Sequence, residues 1–397
     1  MSMNILNLNQ MLHLIESGNI NFLIGSGVSK PFLSTLGNIE KWLTELDLAQ
    51  KGTSLYRHKE QIKLSIYSTY LNDVMRPCLK SNKVGSDFEK TNYAYRNFFK
   101  TINSLIAARA SSIISKQINI FTTNIDDFCE TTSCDAGVEI NDGFKGHHTP
   151  IYREDTFTNI VSKISGLYQT TSTIPVFNIV KIHGSINWKK HQSNDITFDH
   201  KLEVLQGVLE LLDSIPKTYL LNFKDGDSSI AEMWDDSEFD DIPQDVEEKI
   251  KEFFRKYDEL IMINPQKDKF VKSVIDYHFY ELMRLYSNAL EKKNSVLFVA
   301  GFSFADEHIS NITLRAANNN PTLSIIVLAF DDYAKEQINS NLEKIGTSHN
   351  NNILIATPNI FIKAQDESFK EKLNKETFSF DLTSIDKYIF QNLLNLL

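Results

Sequence analysis

Two segments about sixty residues apart hold the side chains best suited to chemistry. Thr122-Thr123-Asn124-Ile125-Asp126 closes the run Ile118-Asn119-Ile120-Phe121, and His183-Gly184-Ser185 closes Val176-Phe177-Asn178-Ile179-Val180-Lys181-Ile182. An imidazole moves protons at neutral pH because its unperturbed pKa is about 6.5. An amide such as Asn124 can orient water or a sugar hydroxyl, and a carboxylate such as Asp126 can engage an amide-bearing base. A third segment, Gly25-Ser26-Gly27-Val28-Ser29, follows the strand-like run Asn21–Ile24. Glycine lets a backbone approach a pyrophosphate, and free N–H groups with the Ser26 and Ser29 hydroxyls can hold its oxygens. Parallel α/β sheets bind ligands at the carboxyl ends of their strands. Together the three segments point to a nucleotide site with its own acid/base group.

Each segment also has a plainer reading. The glycine turn fits an ordinary strand–turn–helix junction, because Lys30 stands where G-x-G-x-x-G needs its third glycine. The Walker pattern is absent, which disfavours a P-loop ATPase. Thr122–Asp126 fits a helix N-cap, with Asp127 as an alternative cap. A lone histidine is usually structural, although one at a strand end before a glycine is a better acid/base candidate. In Val299-Ala300-Gly301-Phe302-Ser303-Phe304-Ala305-Asp306, Gly301 and Ser303 are placed to contact an adenosine ribose, and Asp306 reads as a cap for the helix carrying His308. His147-His148 has diverging side chains and no partner at zinc-site spacing, so no metal is expected there. Glu247-Glu248-Lys249 resembles a nuclease fragment only in an acidic tract, where such matches arise by chance.

The elements that must position these groups alternate. Helical patterns are expected around Met11–Ile15, ended by Gly18, then at Ile39–Leu48, Glu60–Leu79, Tyr93–Ser115, Ser273–Glu291 and His308–Asn318. Strand-like runs fall at Ile118–Thr122, Val176–Ile182, Leu260–Ile263, Val296–Ala300, Leu323–Ala329 and Ile353–Ala356. Alternation of this kind predicts an α/β fold with a Rossmann-like, doubly wound parallel sheet. The expected organisation is one nucleotide-binding and catalytic domain over residues 1–330, with a helical insertion at about 52–116 and an acidic one at about 190–258. A C-terminal segment, 331–397, ends in the amphipathic stretch Ile385, Ile389, Leu393 and Leu396, suited to packing or oligomerisation.

Composition narrows the classes. The chain has 397 residues, 42% of them hydrophobic and 23% charged, enough to bury a core without metal or disulfide staples. The net charge of -10 does not favour direct nucleic-acid binding, which needs clustered Lys and Arg. Asp225–Glu248 holds eleven acidic residues and no basic one, as a solvated loop or as a docking strip for a basic partner. The three cysteines, Cys78, Cys129 and Cys134, form no C-x-x-C pair and fit a reducing, cytoplasmic setting. Met1–Asn21 lacks the basic and apolar regions of a signal peptide, and no apolar run is long enough for a membrane span.

Taken in order, these motifs resemble those of the sirtuin superfamily, most closely its bacterial, defence-associated branch. The resemblance rests on Gly25–Ser29, Thr122–Asp126, His183-Gly184-Ser185-Ile186-Asn187-Trp188, Asn264-Pro265-Gln266-Lys267 and Gly301–Ile309, with Asp142-Gly143-Phe144-Lys145-Gly146 as a further match. It implies a domain that binds NAD and breaks the nicotinamide–ribose bond. Gly25, Ser26, Gly27 and Ser29 would then lie at the pyrophosphate, with Thr123 also in the binding set. Asn124 would place ribose or water, Asp126 would hold the nicotinamide amide, and His183 would act as general base. Asn264, Gly301 and Ser303 would sit near the adenosine.

The chain departs from the family where deacetylases need it most. Three scattered cysteines cannot build the four-cysteine zinc module, so no zinc is expected. Ser26 replaces the usual alanine, and the following proline-phenylalanine-arginine signature is missing. The resemblance therefore implies an NAD glycohydrolase used in anti-phage defence, working as a homo-oligomer with a HerA-type ATPase. A deacylase or ADP-ribosyltransferase, and an NAD-sensing assembly subunit, are the alternatives.

Overall fold

The computed structural model describes residues 7–35, 39–109, 113–167, 169–191, 195–221, 229–230, 242–263, 277–373 and 378–397. Its main sheet contains β1 (Asn19–Ile24), β2 (Gln117–Thr122), β3 (Ile140–Asn141), β8 (Val176–Lys181), β11 (Ser295–Ala300), β12 (Ser324–Leu328) and β13 (Ile353–Ala356). All pair in parallel, in the order β13-β12-β11-β1-β2-β8-β3. The chain steps outward from β1 to β2 and β8, then returns to lay β11 against the other side of β1. This is the doubly wound Rossmann-type arrangement, with its switch point between β1 and β11.

The strands are apolar on both faces because helices cover both. Phe22, Ile24, Ile120, Ile179 and Phe298 face one core, built with the helices Leu8–Ser17 and Ser86–Ala107. Leu23, Phe121, Val180, Leu297 and Val327 face the other, built with Tyr277–Glu291 and Glu307–Asn319. Asparagines interrupt this pattern in register. Asn119 Nδ2 donates to Asn21 Oδ1 (2.8 Å) and Asn178 Nδ2 to Asn119 Oδ1 (2.9 Å), a ladder that pairs these amides across three strands and leaves Asn178 Oδ1 without a protein partner.

The smaller strands β4 (Phe144–Lys145), β5 (Ile151–Tyr152), β9 (Trp188–Lys190) and β10 (Ile196–Phe198) form a separate antiparallel sheet in the order β4-β5-β10-β9. Its core is aromatic, with the Tyr152 and Trp188 rings 4.6 Å apart. An exposed hairpin of β6 (Ser162–Ile164) and β7 (Thr171–Thr173) stands apart. Of the acidic tract, the helix Gln244–Tyr257 is described; Val246, Ile250, Phe253 and Tyr257 bury its apolar stripe while Glu247 lies in its first turn. The C-terminal Ile385, Ile389 and Leu393 enter the first core, whereas Leu396 is half-exposed.

Several elements differ from expectation. Leu260–Ile263 is no sheet strand: Met262 makes one isolated antiparallel bridge to Gly184, so this run lies across the end of β8. The expected helix Glu60–Leu79 is α-helical over Lys59–Tyr70, then widens to a π turn at Leu71–Met75 before the 3-10 turn carrying Pro77. The helix expected at Tyr93–Ser115 runs from Ser86 to Ala107, its start following Gly85 at φ +94°. No helix among the described residues is long and apolar enough to cross a membrane.

Candidate functional site

The glycine turn works chiefly by close packing. Gly25 N donates to Ala300 O (3.0 Å) and Gly27 N to Gly301 O (3.0 Å), so both amides are engaged by the end of β11. A Cβ on Gly25 would lie 2.4 Å from Gly301 O, and one on Gly301, at φ +62°, would lie 2.5 Å from Val28 N. The expectation that these glycine amides face a pyrophosphate thus changes: Gly25 and Gly27 lock the two strand ends together. Ser26 and Gly27 line the cavity over the turn, and Gly25 does not.

Beneath the turn sits a buried polar network. Ser29, only 1% exposed, donates to Asp126 Oδ2 (2.9 Å) and lies 3.0 Å from the Tyr95 hydroxyl. Its single proton serves Asp126, so Tyr95 donates into Ser29. Asn124 Nδ2 also donates to Ser29 Oγ (3.2 Å), while Asn124 Oδ1 is buried with no protein partner. Ser29, expected at the pyrophosphate, is the hub beneath Asn124 and Asp126 and also borders the cavity over the turn.

Asp126 Oδ1 accepts from Phe128 N (3.1 Å), opening the helix Phe128–Ala136 in the manner of a cap. Asp127 holds the N-cap position but its side chain makes no capping bond; its carboxylate pairs with Lys83 Nζ at 2.6 Å and 2.7 Å. Asp126 thus makes a cap-like bond while also bordering the cavity over the turn. Burial raises the Asp126 carboxyl above its usual range, against the opposing pull of Lys181. The Lys181 ammonium donates to the Asp126 carbonyl and pairs with Glu130 at 3.4 Å. Burial opposes the Lys181 charge, but Glu130 and Asp126 outweigh it and hold the ammonium protonated. Burial also pushes Glu130 up to about 7, with Lys181 pulling the other way.

The His183 loop is fixed through its backbone. Ile263 N donates to His183 O (2.8 Å) and Ser185 N to Ile261 O (3.2 Å). Gly184 sits at φ +73°, where a Cβ would meet Ile261 O at 2.2 Å. The Ser185 hydroxyl and Ile186 N both donate to Ile125 O, at 3.0 Å and 3.1 Å, which stitches this loop to the Asn124–Asp126 loop. His183 Nε2 lies 3.1 Å from Asp306 Oδ2, with side-chain exposures of 12% and 7%. The ring N–H is not fully aligned on that oxygen.

Asn124, Asp126, His183, Ser26, Gly27, Ser29, Thr123, Gly301 and Ser303 all border one cavity of about 530 Å³ above the switch point. Asn264 lies outside the described residues. Ser303 is exposed at the rim, on a loop where buried Phe304 adopts φ +59° and its carbonyl accepts from Ser310 Oγ (3.0 Å). Phe330 and Tyr333 extend the wall beyond it. Sequence reasoning did not single out Tyr95, Glu130 or Lys181. A lysine inside the apolar run Val176–Ile182 was the one signal of the buried charge pair. A second cavity, about 1040 Å³, lies on the other side of β2 against Arg153, Glu154, His278, Glu281 and Arg284, and none of the motif residues border it. Among the described residues no cluster of His, Cys, Asp or Glu is arranged to hold a metal.

Fold and site thus define a Rossmann-like α/β protein with a polar crevice at its switch point. No family model matches the chain, and no curated protein matches it either. Solved structures with some likeness include one described as the structural basis for sirtuin substrate affinity, 12% identical over 98% of each chain with a TM-score of 0.37. A Sir2 variant with a deacetylated p53 peptide and 3'-O-acetyl ADP ribose is 11% identical over 98% of each chain, TM-score 0.36. Sir2 with a p53 peptide and NAD+ is 13% identical over 85% of this chain and 98% of that one, TM-score 0.33. Likenesses this weak carry no argument about activity.

Proposed function

We propose that the protein hydrolyses NAD to nicotinamide and ADP-ribose. The observation that carries this reading is the buried, unpartnered Asn124 Oδ1 on a crevice that His183 also borders. An orphaned buried acceptor costs about 1–3 kcal/mol, so the site is built for a ligand or water that donates to it. The sequence motifs supply the ligand class. In the reaction the C1'–N bond breaks with its electron pair leaving on nicotinamide, and the ribosyl ring gains positive charge. A water held by Asn124 attacks C1' and gives its proton to His183. Asp126, held by Ser29 and Phe128 N, receives the nicotinamide amide. Ser26 and Gly27 lie along the pyrophosphate path, with Thr123, Gly301 and Ser303 bordering the rest of the dinucleotide.

Purified protein incubated with NAD tests this directly. Free ADP-ribose and nicotinamide are expected; acyl-ADP-ribose or labelled protein would instead mark a deacylase or ADP-ribosyltransferase. Binding without turnover, even beside a partner, would mark a sensing subunit. Unchecked NAD hydrolysis would kill its host, so the reading includes a trigger and extends to anti-phage defence, self-association and a HerA-type ATPase partner. Timing NAD loss in cells with and without the neighbouring genes, before and after infection, tests that extension.

A further inference from the structure

We propose that Asp306 is the positioning carboxylate of His183, setting which ring nitrogen serves as the base. This rests on the reading of His183 as general base. Asp306 stands on the loop after β11, whereas His183 follows β8, three strands away in the sheet order. The two side chains nonetheless meet at 3.1 Å, both largely enclosed. Asp306 is oriented from its other oxygen: Oδ1 accepts from His308 N (3.0 Å) and Ile309 N (3.2 Å) at the start of Glu307–Asn319. That grip leaves Oδ2 facing Nε2, and the helix N-terminus favours the carboxylate's negative charge.

His183 Nε2 is sealed from solvent, so it cannot be the nitrogen that meets a substrate. A carboxylate at Nε2 selects the Nε2–H tautomer and leaves the Nδ1 lone pair to accept a proton. Once Nδ1 is protonated, Asp306 stabilises the imidazolium without taking the proton itself. The loop is built to hold this arrangement. Phe304 is kept in the left-handed region by burial and by Ser310, and Gly301 is pressed against Val28.

The rival reading is that Asp306 is only a helix cap. Asp306→Asn separates the two, because asparagine caps as well as aspartate. It keeps the acceptor for His308 N and Ile309 N but offers an N–H to Nε2, which drives the ring to the Nδ1–H tautomer. The expected result is an unchanged melting temperature, a KM for NAD within about twofold, and a kcat lower by about 100- to 10,000-fold. Asp306→Ser, which retains a capping oxygen without charge, should match it in kcat. Nitrogen-15 spectra of histidine-labelled protein should show His183 as Nε2–H in the native chain and Nδ1–H in Asp306→Asn. The same tautomer in both proteins, or a native kcat in Asp306→Asn, overturns the proposal. The tautomer reading needs no turnover, so it decides the pairing even if NAD proves not to be the substrate.

Discussion

The crevice has two unlike halves. On the β1-β2-β8 side, Ser29, Tyr95, Asn124, Asp126, Lys181 and Glu130 form a continuous buried polar network, each member hydrogen-bonded or ion-paired to another. On the β11-β12 side the walls are mainly backbone, aliphatic and aromatic, with Asp331 and Gln337 among them: Gly301 packs on the glycine turn, while Phe330 is 50% and Tyr333 69% exposed. The first half holds charge in fixed places where water is excluded, as bond cleavage requires. The second offers flat aromatic faces with the exposed Ser303 and Tyr333 hydroxyls, as suits holding a base and sugar. The His183–Asp306 contact joins a side chain of one half to a carboxylate of the other.

The largest expected effects fall on the polar half. Asn124→Ala and His183→Ala should each lower NAD turnover by about 100-fold or more while the protein still folds. Robust NAD consumption by both purified variants would falsify the site assignment. Next comes the charge beneath them. Lys181→Met leaves Glu130 without its counter-ion and should cost about 3 kcal/mol of stability at pH 8. The loss should shrink at pH 6, where Glu130 can take up a proton. An equal shift of the denaturant midpoint at both pH values would show that the pair does not bear this load.

Gly301→Ala tests the seam between the halves. Its Cβ would sit 2.5 Å from Val28 N on a backbone at φ +62°, so a loss of about 1–3 kcal/mol is expected. An unchanged melting curve would mean that the two strand ends can part freely.

Glu130 gives a smaller, pH-dependent effect. Its folded pKa, about 7, is raised above the ordinary 4.5 mainly by burial. The folded state therefore holds a proton that the unfolded state releases, and stability falls as pH rises between those two values. Relative to Glu130→Gln, which cannot titrate, the native chain should lose stability across that window and run parallel to it above pH 8. Parallel profiles throughout would show that Glu130 is not perturbed.

The same contrast explains what the sequence disclosed. Strand ends carrying Asn124, His183 and Ser303 were legible because apolar runs stop there, and the parallel sheet followed from their alternation with helices. The wiring was not legible. Ser29 looked like a phosphate ligand because glycine-serine turns often are, yet Tyr95, about two-thirds of a hundred residues later, draws it into the interior. Tyr95 itself lies in an amphipathic helix, where its ring alone accounts for its place. Asp306 showed its capping role locally, but its second oxygen meets a histidine brought there by the sheet. Long-range polar pairs leave no periodic trace, whereas burial does. Leu260–Ile263 illustrates the reverse case, apolar enough for a strand but needed as a brace across His183–Ser185.

The smallest effect should come from the aromatic half. Phe330 borders the cavity with half of its surface open, so Phe330→Ala should change stability by no more than about 0.5 kcal/mol. If its face receives the adenine, the lost contact is worth about 0.5–1.5 kcal/mol, which raises KM for NAD roughly 2- to 10-fold. The chemical step should not notice, because the ring contributes equally before and during bond cleavage, so kcat stays native. A fall in kcat with KM unchanged would place Phe330 with the polar half and erase the division between them. Nicotinamide mononucleotide, which lacks the adenosine, sharpens the same point. Its hydrolysis should be slower than that of NAD in the native protein, and Phe330→Ala should leave its rate unchanged.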